Sequence, residues 1–160
     1  MKPRPPSLRF KKRYVLAVII PQWRTTNTRQ LQQKITESIS TLVGDVGIAQ
    51  ILPTIVFYER GFIIVRCRRG TERMLTIALS TVISDGMQRI AVRSIATSGT
   101  ILALKRKIIL LSRDITEANL NMNDREYLIY KCFGQKVDLL EKGIKSQEIL
   151  FLTEKDLEEM

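Results

Sequence analysis

The chain has 160 residues, 44% of them hydrophobic and 26% charged, with a formal net charge of +10 and no histidine. That is enough chain for one domain with a real core; it excludes disorder throughout, a span of about 20 apolar residues across a bilayer, and any chemistry that needs an imidazole. The charge is uneven: +15 accumulates before residue 114 and −5 after it, which points to a polyanion partner for the first part, because ordinary surfaces intersperse both signs.

In chain order, residues 1–12 form a basic, extended N-terminal arm, since Pro3, Pro5 and Pro6 block regular hydrogen bonding. Arg13 to Pro21 is a strand rich in Val and Ile. A basic segment before an apolar run resembles a signal peptide, but this run is short, β-branched and followed by Gln22, Trp23 and Arg24 rather than small residues. The reading is a strand of a cytoplasmic protein with no membrane segment. Asn27 or Thr28 caps a helix with Leu31, Ile35, Ile39 and Leu42 on one face, ended by Gly44 and Gly47. Ile51 to Tyr58 and Phe62 to Arg68 form a hairpin about Glu59, Arg60 and Gly61. Thr71 to Ser84 is a second helix with Leu75, Ala78, Leu79 and Val82 inward, and Ile90 to Ile95 a fourth strand.

Ser98 then caps a third helix, and Gly99 leaves the first amide groups open to approach. Ile101, Leu104, Ile108 and Leu111 share one face, while Lys105, Arg106 and Lys107 suit the helix dipole at the other end. The segment reads as a helix with two places to hold phosphate, with a plain capped helix as the alternative. Strand, helix, strand, strand, helix, strand is the α+β, ferredoxin-like order: a two-layer sandwich of an antiparallel sheet and two helices, with one sheet face open. The domain reading is arm 1–12, core 13–113 and an acidic, partly helical extension 114–160. In that extension Asn123 and Glu126 read as a capping box for a helix carrying Leu128, Cys132 and Phe133, interrupted at Gly134 and resuming from Val137 to Leu140. Thr153 and Asp156 cap a short final helix, and Ile149 to Leu152 needs burial.

Residue chemistry narrows the function. Before residue 114 the acids are Glu37, Asp45, Glu59, Glu72 and Asp85, on separate elements, and no phosphate-binding loop, dinucleotide fingerprint or nucleophile elbow occurs. The chain therefore reads as noncatalytic, with no metal or cofactor of its own. Cys67 and Cys132 lack metal-ligand spacing and read as buried thiols. The RNA-recognition motif shares the element order, and Arg60, Gly61 and Phe62 match the start of its third-strand signature. Ile64 and Cys67 stand where two of its stacking rings belong, which disfavours a standard single-strand reader. Arginines such as Arg66, Arg68, Arg69, Arg89 and Arg93 offer phosphate contacts instead. The candidate RNA contacts are Arg9, Lys11, Lys12, Arg13, Arg66, Arg68, Arg69, Arg93, Ser98, Gly99, Thr100, Lys105, Arg106 and Lys107.

Four stretches, in order, carry a resemblance. Arg13-Tyr14, Gly47-Ile48-Ala49, Gly61 with four apolar residues and Arg66-Cys67-Arg68, and Ser98-Gly99-Thr100-Ile101 leading to Lys105-Arg106-Lys107 resemble the ribonuclease P protein component 2 family, in its archaeal form. The resemblance implies a small RNA-binding subunit of the ribonucleoprotein that removes the 5′ leader from precursor tRNA. It implies that catalysis belongs to the ribonuclease P RNA and its Mg²⁺, that the protein braces the RNA's catalytic domain with precursor tRNA only peripheral, and that its partner is the barrel-shaped component 3, in a two-plus-two heterotetramer. The extension is longer than archaeal relatives commonly carry; its acidity suits shielding of basic surface or binding of another subunit. From the residues alone, a ferredoxin-like protein-interaction or small-ligand regulatory domain and a ribosomal-type RNA-binding protein stay open.

Overall fold

The computed structural model describes all residues except 1, 4, 23, 24, 114, 115, 132–135, 143–147 and 160. After a 3-10 turn at Pro6–Leu8, the elements are β1 (Lys12–Ile20), α1 (Thr28–Ile51), β2 (Thr54–Glu59), β3 (Phe62–Arg68), α2 (Glu72–Ser80), β4 (Ala91–Ser98) and α3 (Ile101–Arg113). There follow β5 (Thr116–Met122), β6 (Arg125–Lys131), β7 (Lys136–Glu141), β8 (Glu148–Thr153) and α4 (Glu154–Glu159). Two units result, Met1–Lys105 and Arg106–Met160, each taken by itself below.

In the first unit the strand order is β2-β3-β1-β4, with β1 antiparallel to both β3 and β4. That is the ferredoxin-like sheet. Alternation decides its core: Val15, Ala17 and Ile19 of β1 and Ile63, Val65 and Cys67 of β3 turn to one face. Leu31, Ile35 and Ile39 of α1 and Leu75, Ala78 and Leu79 of α2 close that face at spacings of three and four. Asn27 begins α1, its Oδ1 accepting the Arg29 and Gln30 amides at 2.9 and 3.3 Å. The Ser38 hydroxyl donates to the Ala78 carbonyl at 2.8 Å, tying α1 to α2.

Several boundaries differ from the sequence reading. Gly44, at φ 72°, breaks α1 as expected, but the helix resumes to Ile51 because Ile51 is fully buried in the core. Gly47 lies inside the resumed turn, where an added Cβ would sit 2.0 Å from a Val43 methyl, and Leu42 is 46% exposed rather than inward. Leu52 adopts φ 51° and Pro53 lacks an amide donor, so β2 starts at Thr54 instead of Ile51. The helix α2 stops at Ser80, and β4 runs on to Ser98.

The sheet face opposite α1 and α2 is not open at its centre. Leu16, Val18, Phe62 and Ile64, which point there, are at most 1% exposed. Phe57 shares that face as the register partner of Ile64, and Lys105 Nζ lies 4.7 Å from its ring centroid. The first turn of α3, up to Lys105, therefore lies on this face.

The second unit corrects the reading of the tail. The described residues of 123–140 are strand and turn rather than helix: β5, β6, β7 and β8 form an antiparallel meander. Asn123 and Asp124, at φ 50° and 61°, are the two central residues of the turn that pairs Met122 with Arg125, so Asn123 does not cap a helix. Tyr127 and Ile129 face Val137 and Leu139 with strand periodicity, and Leu120, Met122, Leu152 and Leu157 pack around them. The final helix does have its capping pair: the Thr153 amide donates to Asp156 Oδ2 at 2.7 Å, and the Asp156 amide to Thr153 Oγ1 at 3.4 Å. Cys132, Phe133 and Gly134 lie outside the described residues.

Candidate nucleic-acid interface

Strand register brings distant cations together. One row crosses all four strands as Thr54, Arg66, Tyr14 and Ser98, and the next pairs Arg68 with Lys12. All six lie on the face opposite α1 and α2, at one end of the sheet, with no acid in either row. Arg66 Nη2 donates to Thr54 Oγ1 at 3.4 Å, and the Arg68 guanidinium lies 4.1 Å from the Phe10 ring centroid. The Arg69 amide donates to the Lys11 carbonyl at 2.8 Å, which ties the arm to the end of β3. Arg9, Lys11, Lys12 and Arg69 are exposed around this row, while Arg66 and Arg68 are half-buried.

Arg13 points the other way. One residue along β1 from Lys12, it turns toward α2, and its Nε donates to Glu72 Oε1 at 3.0 Å. Glu72 Oε2 also accepts the Gly70 amide at 2.8 Å. Burial pushes the Glu72 carboxyl up, but hydrogen bonds from its own amide, from Arg13 and from Gly70 outweigh it and hold the group below 4.5, its ordinary value. A Cβ on Gly99 would lie 3.3 Å from Arg13 Nη1. Glycine here leaves room for the guanidinium.

The start of α3 also departs from the sequence reading. Thr100, not Ser98, is the N-cap: its Oγ1 accepts the Ala103 amide at 3.4 Å. The Ser98 hydroxyl oxygen accepts the Thr100 amide at 3.2 Å, one step outside the helix. Lys105, Arg106 and Lys107 are all exposed, and of the three Lys105 is drawn to the Phe57 ring. Arg93 is half-buried on β4 opposite Val18, away from the basic row. The structure thus gathers Lys12, Arg66, Arg68 and Ser98, with Arg9, Lys11 and Arg69 beside them, and separates Arg13, Arg93 and Lys105.

Phe10 escaped the sequence reading, although a ring between Arg9 and Lys11 is a readable sign of a stacking platform in a basic patch. Phe62 and Ile64 do point to the face that a single-strand reader uses, but both are fully buried and offer nothing to a base. Cys67 is buried as expected, and desolvation pushes its thiol up, so it stays protonated. Among the described residues no three His, Cys, Asp or Glu side chains gather as metal ligands, and no helix is long and apolar enough to cross a membrane. A row of cations without acids, two of them half-buried, is suited to holding phosphates.

Residues 13–109 match the model of the Rpp14/Pop5 family. A protein of Methanoculleus marisnigri, ribonuclease P protein component 2, is 43% identical over 159 residues, 99% of each chain. Its namesake from Archaeoglobus fulgidus is 36% identical over 108 residues, covering 67% of this chain and 96% of that one. A chain in the cryo-EM structure of yeast ribonuclease MRP aligns with a TM-score of 0.48 and 13% identity, covering 66% of this chain and 95% of that one.

Proposed function

The chain belongs to the Rpp14/Pop5 family of ribonuclease P protein subunits, and from that premise we propose that it is a noncatalytic subunit that stabilises the catalytic domain of the ribonuclease P RNA for removal of the 5′ leader from precursor tRNA. The observation that carries this reading is the register that sets Lys12, Arg66 and Arg68 on one face with no acid beside them. Phosphates from separate RNA segments held on such a row repel each other less, which favours a compact RNA fold. Hydrolysis is left to the RNA and its Mg²⁺, with precursor tRNA at most peripheral to the protein. The work takes place in the cytoplasm.

The same reading includes the barrel-shaped component 3 as a partner, two copies of each. Support comes from apolar side chains left in water around the α1 break: Leu42, Val43 and Val46 are 46%, 39% and 69% exposed.

Binding of the full chain to ribonuclease P RNA, followed across salt concentrations, tests the proposal. With six or more phosphates neutralised, affinity falls by about 10³-fold or more between 50 and 200 mM salt. A flat salt response overturns it.

A further inference from the structure

Between the arm, the end of β3 and the α1–β2 connection lies a cavity of about 400 Å³, within the ~300–1,000 Å³ range of small-ligand clefts. Its two sides differ in chemistry. Phe10, Leu52 and Pro53 make an apolar wall, and Lys12, Arg66 and Arg68 a cationic one; no acidic side chain lines it.

Three observations mark it as incomplete. Phe10 and Leu52 are 63% and 52% exposed, two large apolar side chains left to water at one opening. The Nε of Arg68 is buried with no acceptor among the described residues, a costly state for a charged donor. The apolar wall is also held in place: the Gln32 side chain donates to the Pro53 carbonyl at 3.0 Å and accepts the Ile55 amide at 2.7 Å. A preformed wall loses little freedom when something docks on it. Bare phosphate leaves the apolar side wet, and a hydrocarbon leaves the cations unpaired. A flat apolar body joined to an anionic oxygen group satisfies both.

Building on the RNA-binding reading above, we propose that this cavity receives a single unstacked nucleotide of the bound RNA, its base against Phe10, Leu52 and Pro53 and its phosphate on Arg66, Arg68 and Lys12. A base inside a continuous helix cannot enter, so the segment recognised is a bulge, a loop or a strand end. The sheet centre takes no part, since Phe62 and Ile64 are buried.

The test uses the full chain and defined probes: adenosine 5′-monophosphate, ribose 5-phosphate, inorganic phosphate and octanoate, titrated by NMR. Adenosine monophosphate should shift the amides of Phe10, Leu52 and Arg68 and bind about ten-fold more tightly than ribose 5-phosphate. Leu52→Trp, which fills the cavity from an exposed position without altering charge, should erase that difference, as should Phe10→Ala on the arm. With ribonuclease P RNA, both variants should lose about ten-fold in affinity at fixed salt yet keep the wild-type salt slope, because the phosphate contacts remain. Equal binding of ribose 5-phosphate and adenosine monophosphate, tighter binding of octanoate, or wild-type RNA affinity in both variants overturns the inference. Failure of the underlying RNA-binding reading looks different: the wild-type chain itself would show no salt dependence.

Discussion

Sixteen buried residues drawn from both helices, three strands and their connections form the core between the first sheet and its helices, whereas the β5–β8 meander closes on four, Tyr127, Ile129, Val137 and Leu139, among the described residues. Charge divides along nearly the same line, 20 cations against 5 acids up to residue 113 and 6 against 11 beyond it. The difference teaches where each kind of surface is affordable. Like charges crowded on one row repel, and only a scaffold with a deep core on its other face holds them there at a fixed register. Beside the meander's small core the described residues set Leu157 of the short α4, and on its surface cations stand next to acids, as in the ion pairs Arg125–Glu141 at 3.5 Å and Lys142–Glu126 at 3.8 Å.

The sharpest way to break this comparison is at the charges. Replacing Lys12, Arg66 and Arg68 together by Ala should weaken RNA binding on the order of 100-fold and lower the salt slope by about three, whereas Arg125→Ala with Lys142→Ala should leave both unchanged. Filter-binding titrations at several salt concentrations read both numbers. If the two sets of variants weaken binding equally, the division of labour between the regions is wrong.

Core substitutions come next. Ile35→Ala should cost about 4 kcal/mol by urea denaturation, since a fully buried side chain leaves a cavity between α1 and the sheet. Leu139→Ala should cost about 3 kcal/mol, with its effect confined to its own region. Hydrogen exchange locates the damage: β6 and β7 amides lose protection while β1 and β3 keep theirs.

Acid should act on the first region through Glu72 and Asp85. Burial pushes both carboxyls up, but hydrogen bonds hold them below 4.5 and 3.8; for Asp85 these come from the Met87 and Gln88 amides and the Gln88 side chain. Their stabilisation is complete above those ordinary values and is lost as pH falls through the lowered ones, so the urea midpoint should hold from about pH 7 to 5 and drop below about pH 4. Glu72→Gln should cost about 1 kcal/mol at neutral pH and remove part of that acid slope. The smallest expected change is Asp124→Gly, which relieves a left-handed residue in the β5–β6 turn and should stabilise the meander by about 0.5 kcal/mol in thermal denaturation.

The two regions were not equally legible. Val15, Ala17 and Ile19 alternate, and Leu31, Ile35 and Ile39 recur every four residues, so strand and helix declared themselves over long, consistent windows. Asn123 to Glu126 offered only four residues, and those suit a capping box and a left-handed hairpin turn alike. What settled the matter was pairing of β6 with β7, a non-local term absent from any short window. The cap at Ser98 failed more narrowly. Ser98 and Thr100 both have the hydroxyl a cap requires, and the length of β4 decided between them, because Ser98 is still paired with Tyr14.

The candidate site divides in the same way. Composition by itself determined that the first part is basic and that no imidazole is available, and it pointed to a polyanion as the partner. It could not say which cations act together. Lys12 and Arg13 are neighbours in the chain yet point to opposite faces, one beside Arg68 and the other bonded to Glu72. A slip of one residue in the β1–β3 register would exchange their roles. Periodicity is a property of each segment and can be read from it, but register is an agreement between segments whose partners lie 44 to 56 residues apart. Only the packed sheet carries that agreement, and with it the placement of Phe10 under Arg68, the basic row and the cavity beside it.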